Sequence, residues 1–341
     1  MTRGDNGERD ATRRAPQRRR ASRLQIGGSA TGKTTGPTDK TPSEDTPEAW
    51  FNLANAEENR GDLDRSIEHY ERAIELKPDM LEAWNNLGNA LVRRGDLDRA
   101  IDCYRKAVEI GPRLYEAWFN LGTARVDRDE MDEAIDAYRR ALDIRPDVFQ
   151  IWYNLGYAQA SRGKLAAAAD SYRRAATLAP EDYGVWYNLG SVLLDTGNHE
   201  DAIIAHRKAL DLRRDDHEVW NNLGNALAHG DRLNEAVTCY QQALQLDPKY
   251  DVSWNNLGNV LDEIGDLEAA GRAYGRAVTL SEDNATYRLN VASVLSRLDR
   301  PDEAVDHLNR ALEIEPELWQ LLPGFAEFDP LLRSDKLKNR S

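Results

Sequence analysis

Trp84–Asn89 reads WNNLGN, and the same six residues return at Trp220–Asn225 and Trp254–Asn259. Around them, Trp50, Trp84, Trp118, Trp152, Trp186, Trp220 and Trp254 each stand 34 residues after the last. A fixed period of this length marks a stacked array of small units rather than one globular core. With tryptophan as position 4, the first unit begins at Pro47. Position 7 is leucine from Leu53 to Leu257, and position 8 is Ala54 followed by glycine from Gly88 to Gly258. Position 24 is Tyr70, Tyr104, Tyr138, Tyr172, His206, Tyr240 and Tyr274, and position 27 is alanine from Ala73 to Ala277. Proline holds position 32 at Pro78, Pro112, Pro146, Pro180 and Pro248. An eighth unit has Arg288 in place of tryptophan, while Val291, Ala292, Ala304, Ala311 and Pro316 keep the register.

The pattern has a physical reading. Positions 4, 7, 8 and 11 share one face of a helix, and positions 20, 24 and 27 share one face of a second. Small residues at 8 and 20 let the helices approach, and large ones at 4 and 24 fill the space that remains. Position 15 is Gly61, Gly95, Gly163, Gly197 or Gly265, or else Asp129, Asp231 or Asp299. Both residue types tolerate the left-handed conformation that ends a helix. Proline at 32 ends the second helix. One hairpin cannot cover its own apolar face, so neighbours must stack.

Tryptophan, leucine, glycine, then alanine, tyrosine, alanine and proline in this order resemble the tetratricopeptide repeat. The resemblance implies an all-α, right-handed superhelical solenoid of about eight helix-turn-helix repeats over residues 47–318. Residues 319–341 are expected to form a capping helix and tail, with Trp319, Leu321, Leu322, Phe325, Phe328, Leu331 and Leu332 covering the last apolar face. The resemblance also implies a concave groove, lined by the side of the first helices opposite the 4–7–8–11 stripe, in which partners bind.

Charge is unevenly divided. The 341 residues carry 45 Lys+Arg against 59 Asp+Glu, for a net −14. Residues 1–46 reverse that sign, with eight arginines before residue 24, and read as a disordered basic arm too poor in apolar residues to fold. No apolar run is long enough to span a bilayer, and no apolar stretch follows the N-terminal arginines, so neither a membrane nor a secretory role is expected. The expected compartment is cytoplasmic. Two cysteines, Cys103 and Cys239, make neither a disulfide framework nor a thiolate zinc site.

Catalytic chemistry is not expected. Gly27–Thr34, GGSATGKT, matches the phosphate-loop pattern, but that loop needs a buried strand before it and a helix after it. Here arginines precede it, and Thr34, Thr35, Gly36 and Pro37 follow. The six histidines are scattered over several positions of the repeat. No metal, cofactor or catalytic residue is predicted.

The column that carries information is position 6, asparagine in every unit: Asn52, Asn86, Asn120, Asn154, Asn188, Asn222, Asn256 and Asn290. Asparagine inside a helix costs roughly 0.5–0.7 kcal/mol relative to alanine, so eight of them need a reason. An amide can pair with a peptide unit through a donor and an acceptor together. The row resembles the asparagine ladder of O-linked N-acetylglucosamine transferases, which implies a grip on a partner's main chain. The competing reading is a bond to a neighbour within the fold. Phe119, Tyr153, Tyr157 and Tyr187 add rings in mid-groove, either as anchors for a partner or as packing between repeats.

Positions 2, 5, 6, 9, 12, 13, 33 and 34 together carry 17 acids and four basic residues. That balance disfavours nucleic acid, which needs a basic footprint, and favours basic or neutral extended protein segments, the chain's own arm among them. The chain therefore reads as a non-enzymatic adaptor or scaffold. The alternatives are substrate targeting for a glycosyltransferase encoded elsewhere and a self-assembling structural scaffold.

Overall fold

The computed structural model describes residues 45–320, 322–324, 326–333 and 336–337. The expected basic arm, apart from Asp45 and Thr46, lies outside them, and so do the Gly27–Thr34 motif and Leu321 and Phe325 of the tail. The chain divides into two compact units after Val192. Each unit is an all-α, right-handed solenoid of helix pairs.

In the first unit the pairs are α1 (Pro47–Arg60) with α2 (Leu63–Leu76), α3 (Leu81–Arg94) with α4 (Leu97–Ile110), α5 (Tyr115–Asp127) with α6 (Met131–Ile144), and α7 (Phe149–Ser161) with α8 (Leu165–Leu178). The division falls within α9 (Tyr183–Asp195). The second unit continues with α10 (His199–Leu212). It then pairs α11 (His217–His229) with α12 (Leu233–Leu246), α13 (Asp251–Ile264) with α14 (Leu267–Leu280), and α15 (Ala285–Arg297) with α16 (Pro301–Ile314).

Two or three residues turn the chain within each hairpin. Position 15 is left-handed in all eight units: Gly61, Gly95, Gly163, Gly197 and Gly265 have φ of 73° to 94°, and Asp129, Asp231 and Asp299 have φ of 58° to 64°. In three units the next residue, Asp62, Asp96 or Asp266, caps the second helix by accepting a bond from the backbone N–H three residues on. The orphan amides of that helix are thereby satisfied.

Five hairpins are closed by a tyrosine ring seated on a glycine, at Gly88, Gly122, Gly156, Gly224 and Gly258. A Cβ on Gly88, Gly122, Gly224 or Gly258 would lie 2.5–2.7 Å from the ring of Tyr104, Tyr138, Tyr240 or Tyr274. Tyr70, Tyr138, Tyr172 and Tyr240 are among the largest fully buried side chains. The tryptophans work between hairpins. The indole N–H of Trp84, Trp118, Trp152, Trp186 and Trp254 donates to the carbonyl of the proline six residues earlier, at 2.7–3.1 Å, and Trp220 does the same to Arg214 at 2.9 Å. Arg288, which looked like a lost tryptophan, keeps the bond: its Nε donates to the Glu282 carbonyl at 2.8 Å.

The tail differs from the expected capping helix. Three 3-10 turns, Pro316–Gln320, Leu322–Gly324 and Ala326–Phe328, lead to the short helix α17 (Asp329–Leu332). Pro323, Gly324 and Pro330 prevent one continuous helix. The segment still covers the last face, since Leu322, Phe328, Leu331 and Leu337 are buried in the cluster that contains Val291, Leu295 and Leu308.

Two outcomes follow for stability. Gly224→Val places its side chain against the Tyr240 ring, 2.6 Å from an added Cβ, and should cost about 1–3 kcal/mol in denaturant unfolding. Burial pushes the His206 imidazole down to about 4 from an ordinary 6.5. The unfolded chain therefore binds the extra proton between those values, and the stability that neutral His206 confers is present above pH 6.5 and lost as pH falls towards 4. In His206→Tyr, the residue that six other units carry, the acid-side loss measured by thermal melts should shrink by on the order of 3 kcal/mol.

Candidate functional site

Within each compact unit the first helices lie side by side, and positions 5, 6 and 9 meet along that layer. Five of the position-6 amides donate backwards to the preceding first helix. Asn86 Nδ2 donates to Asn55 Oδ1 at 3.1 Å. Asn120 Nδ2 donates to both Asn85 and Asn89, at 3.0 and 3.1 Å, and Asn256 Nδ2 donates to Asn221 and Asn225, at 3.1 and 3.0 Å. Asn290 reaches Asn255 at 2.9 Å, and Asn188 reaches the Tyr153 hydroxyl at 2.9 Å. An amide nitrogen carries two hydrogens, so those of Asn120 and Asn256 are fully engaged.

The hydroxyl at position 24 enters the same network from the core side. Tyr70, Tyr104, Tyr240 and Tyr274 donate to Asn55, Asn89, Asn225 and Asn259 at 2.6–2.8 Å. Asn55, Asn89 and Asn225 each accept from a tyrosine of their own hairpin and from the asparagine of the next. In the third unit Thr123 takes this place, 3.2 Å from the Tyr138 hydroxyl. Burial raises the Tyr104 and Tyr240 hydroxyls well above their ordinary 10, so they stay protonated and donate. Position 9 was missed as a partner in the sequence, although Asn55, Asn89, Asn225 and Asn259 each accompany a tyrosine at 24.

This geometry corrects the picture of position-6 amides presented whole to a partner. Asn52 is exposed; Asn86, Asn120, Asn222, Asn256 and Asn290 are half-buried; Asn154 and Asn188 are buried. What Asn120 and Asn256 keep for solvent is the acceptor Oδ1, to which no donor is bonded among the described residues. Three of the four rings are also removed from the surface: Phe119, Tyr153 and Tyr187 are 1%, 6% and 3% exposed. Position 5 points towards the ring at position 24, and Phe119 lies 5.9 Å from Tyr138 and Tyr153 5.7 Å from Tyr172. Tyr187 stacks on Tyr183 at 6.1 Å. Only Tyr157 of the four remains half-buried.

Some of the acids counted towards the groove have local work. Asp182 Oδ1 accepts from the Val185 N–H at 2.9 Å, and Asp216 caps α11 from a buried position. Glu58 and Asp262 pair with Arg93 and Arg297 of the following first helices. Glu82 and Asp215 stay exposed. The cysteines are buried, and desolvation pushes the Cys103 thiol up to about 12 and that of Cys239 to about 11. Among the described residues no three His, Cys, Asp or Glu side chains are placed to hold a metal. No helix of the described residues is long and apolar enough to cross a membrane.

The fold and its repeating amide network define a helical-repeat scaffold of the kind that works without catalysis. Residues 116–318 match the family model described as cilia and flagella-associated protein 70 C-terminal domain, and residues 43–80 and 51–114 match that of the tetratricopeptide repeat. The first match takes in more than half of the chain, which thus belongs to that tetratricopeptide-repeat family. Among solved structures, YrrB, described as a TPR protein with an unusual peptide-binding site, is similar with a TM-score of 0.52 at 21% identity, covering 54% of this chain and 95% of YrrB. A MamA structure gives 0.48 at 25% identity, covering 50% of this chain and 92% of its own. These likenesses concern the fold. No curated protein matches the sequence.

The network itself can be tested. Asn225→Ala leaves the buried Tyr240 hydroxyl without its acceptor and removes one of two acceptors from Asn256. It should cost about 1–3 kcal/mol in denaturant unfolding. Asn52→Ala breaks no bond of this row and should stay within about 0.5 kcal/mol of the parent.

Proposed function

We propose that the chain is a non-enzymatic adaptor that binds extended protein segments along the groove that the first helices form within each compact unit. The observation that carries this reading is the outward Oδ1 of Asn120 and Asn256, held by the two bonds that each amide nitrogen makes to the preceding helix. A row of fixed acceptors suits the N–H groups of a main chain, whatever its side chains, and fixed groups bind with less loss of rotamer freedom. Exposed acids such as Glu82 and Asp215 add a preference for basic or neutral segments. Asn52 and Tyr157 extend the row as contacts that hold no neighbouring repeat together. On this reading Phe119, Tyr153 and Tyr187 shape the groove from beneath rather than anchoring a partner.

The arginine-rich arm has the charge that such a groove selects, so it competes with partners for it. Two measurements bear on the proposal. On a peptide array, the full chain should retain extended basic peptides, and Asn52→Ala/Tyr157→Ala should bind them about tenfold more weakly with an unchanged melting temperature. Absence of retained peptides, or equal retention by the variant, would rule the groove out. Deleting residues 1–46 should strengthen the same binding at low salt, and unchanged affinity would dismiss competition by the arm.

A further inference from the structure

The second-helix side of the first unit carries a different feature. A cavity of about 720 Å³ opens beside α8, with α6, α7 and α8 contributing its lining, a size that accommodates a bulky side chain with its neighbours. Its apolar wall is Trp152, Leu142 and Leu155, and Arg139 and Arg174 stand with them. Trp152 is fixed there by its indole bond to the Pro146 carbonyl at 2.8 Å.

The third unit has a smaller hollow of about 220 Å³ at the same repeat positions, over Trp118, Leu121 and Arg125. Three departures of the fourth unit from its neighbours converge on the larger one. Position 19 is charged in six units, as at Arg99, Glu133 and Asp201, but is Ala167 here, which leaves the space unfilled. Position 29 is acidic at Glu75, Glu109 and Glu313, where it pairs with the basic residue three positions earlier at 2.7–3.1 Å. Here it is Thr177, and among the described residues Arg174 has no acidic partner. Position 11 is leucine in five units and Gln159 here.

Gln159 is the most telling of the three. It is 4% exposed and lines the cavity. Its Oε1 accepts from the buried Ser171 hydroxyl at 2.7 Å, while its Nε2 has no acceptor among the described residues. That nitrogen reaches the open space of the cavity, where water or a ligand acceptor bonds it.

We infer that this cavity is a docking site for a partner protein, taking an internal segment in which an aromatic side chain stands next to a single carboxylate. The aromatic ring enters against Trp152, Leu142 and Leu155, and a carbonyl of the segment accepts from Gln159. The carboxylate meets Arg174, beside Arg139, which is itself paired with Asp136 at 3.7 Å. Charge selects the occupant. Asp170 on the lining is paired with Arg173 at 3.2 Å, whereas Asp143 disfavours a run of acids and leaves room for one. The same guanidinium groups exclude the chain's own arginine-rich arm. The site lies on the second-helix side and does not depend on the groove proposed above.

The test uses the full chain and a fluorescent, acetylated and amidated peptide carrying one Glu-Phe pair among serines and glycines, so that no terminal carboxylate is present. Saturable binding is expected, with a loss of at least about tenfold in Ala167→Trp, which intrudes on the apolar wall of the cavity, and in Arg174→Glu, which reverses its charge. Replacing Glu by Lys in the peptide should abolish binding. Asn52→Ala/Tyr157→Ala should leave it unchanged, which separates this site from the groove. Thermal melts matching the parent establish that the variants are folded, and Ala167→Ser, which keeps the space open, should bind as the parent does. No saturable binding to the parent, equal binding by Ala167→Trp and Arg174→Glu, or loss on changing the groove instead would overturn the assignment.

Discussion

The contact on which everything else rests is a tyrosine ring lying on a glycine. With no Cβ at Gly88, Gly122, Gly224 or Gly258, the two helices of a hairpin come close enough for the ring to fill the seam. The same placement carries the phenolic hydroxyl through the core to the opposite side of the first helix, where it meets an asparagine. One close approach therefore determines both the hydrophobic seam of a hairpin and the polar seam between hairpins. A buried hydroxyl needs a partner, and its partner is also the acceptor for the next unit. This couples the first three repeats in series and the sixth to the seventh, as nearest-neighbour stacking requires.

The amide row has a consequence for recognition. Backward-pointing N–H groups hold Asn120 and Asn256 in one orientation, so any surface that they offer is made of oxygens. Preorganisation of this kind separates a binding column from a column of flexible polar side chains. The rings at position 5 serve that surface indirectly. Phe119, Tyr153 and Tyr187 fill the floor beneath it, and in the fourth and fifth units the Tyr153 hydroxyl takes over as acceptor from Asn188.

The fold was legible almost entirely. A 34-residue period, a left-handed residue at position 15 and proline at position 32 are local signals, and each acts through its own backbone preferences. The tail was less legible, because Leu322, Phe328 and Leu331 advertise burial while Pro323 and Pro330 decide the geometry. The candidate site was harder still. Asparagine in all eight units marked position 6, but whether an amide faces a partner or a neighbour depends on distances between helices that are not adjacent in sequence. Helical angles put Phe119 and Tyr187 on the groove side, yet a large ring there turns to the nearest apolar surface, which is the position-24 ring or the next turn of its own helix. The cavity beside α8 was not legible from Gln159, Ala167 and Thr177 alone, since the seventh unit also has Ala269 and Thr279 at the last two positions, and only the packing shows where they converge.

The indole-to-carbonyl bond has an optical consequence. Each hairpin from the second to the seventh holds one indole in nearly the same setting, hydrogen-bonded and partly covered, and the eighth replaces it with a guanidinium that does not emit. Intrinsic fluorescence thus sums one emitter from each of these hairpins, together with Trp50 and the Trp319 of the tail. Stacked helix pairs stand roughly 10 Å apart, close enough within each unit for excitation to migrate from one indole to the next. Depolarised emission would be a property of the assembled stack, and loosening a single repeat would interrupt it.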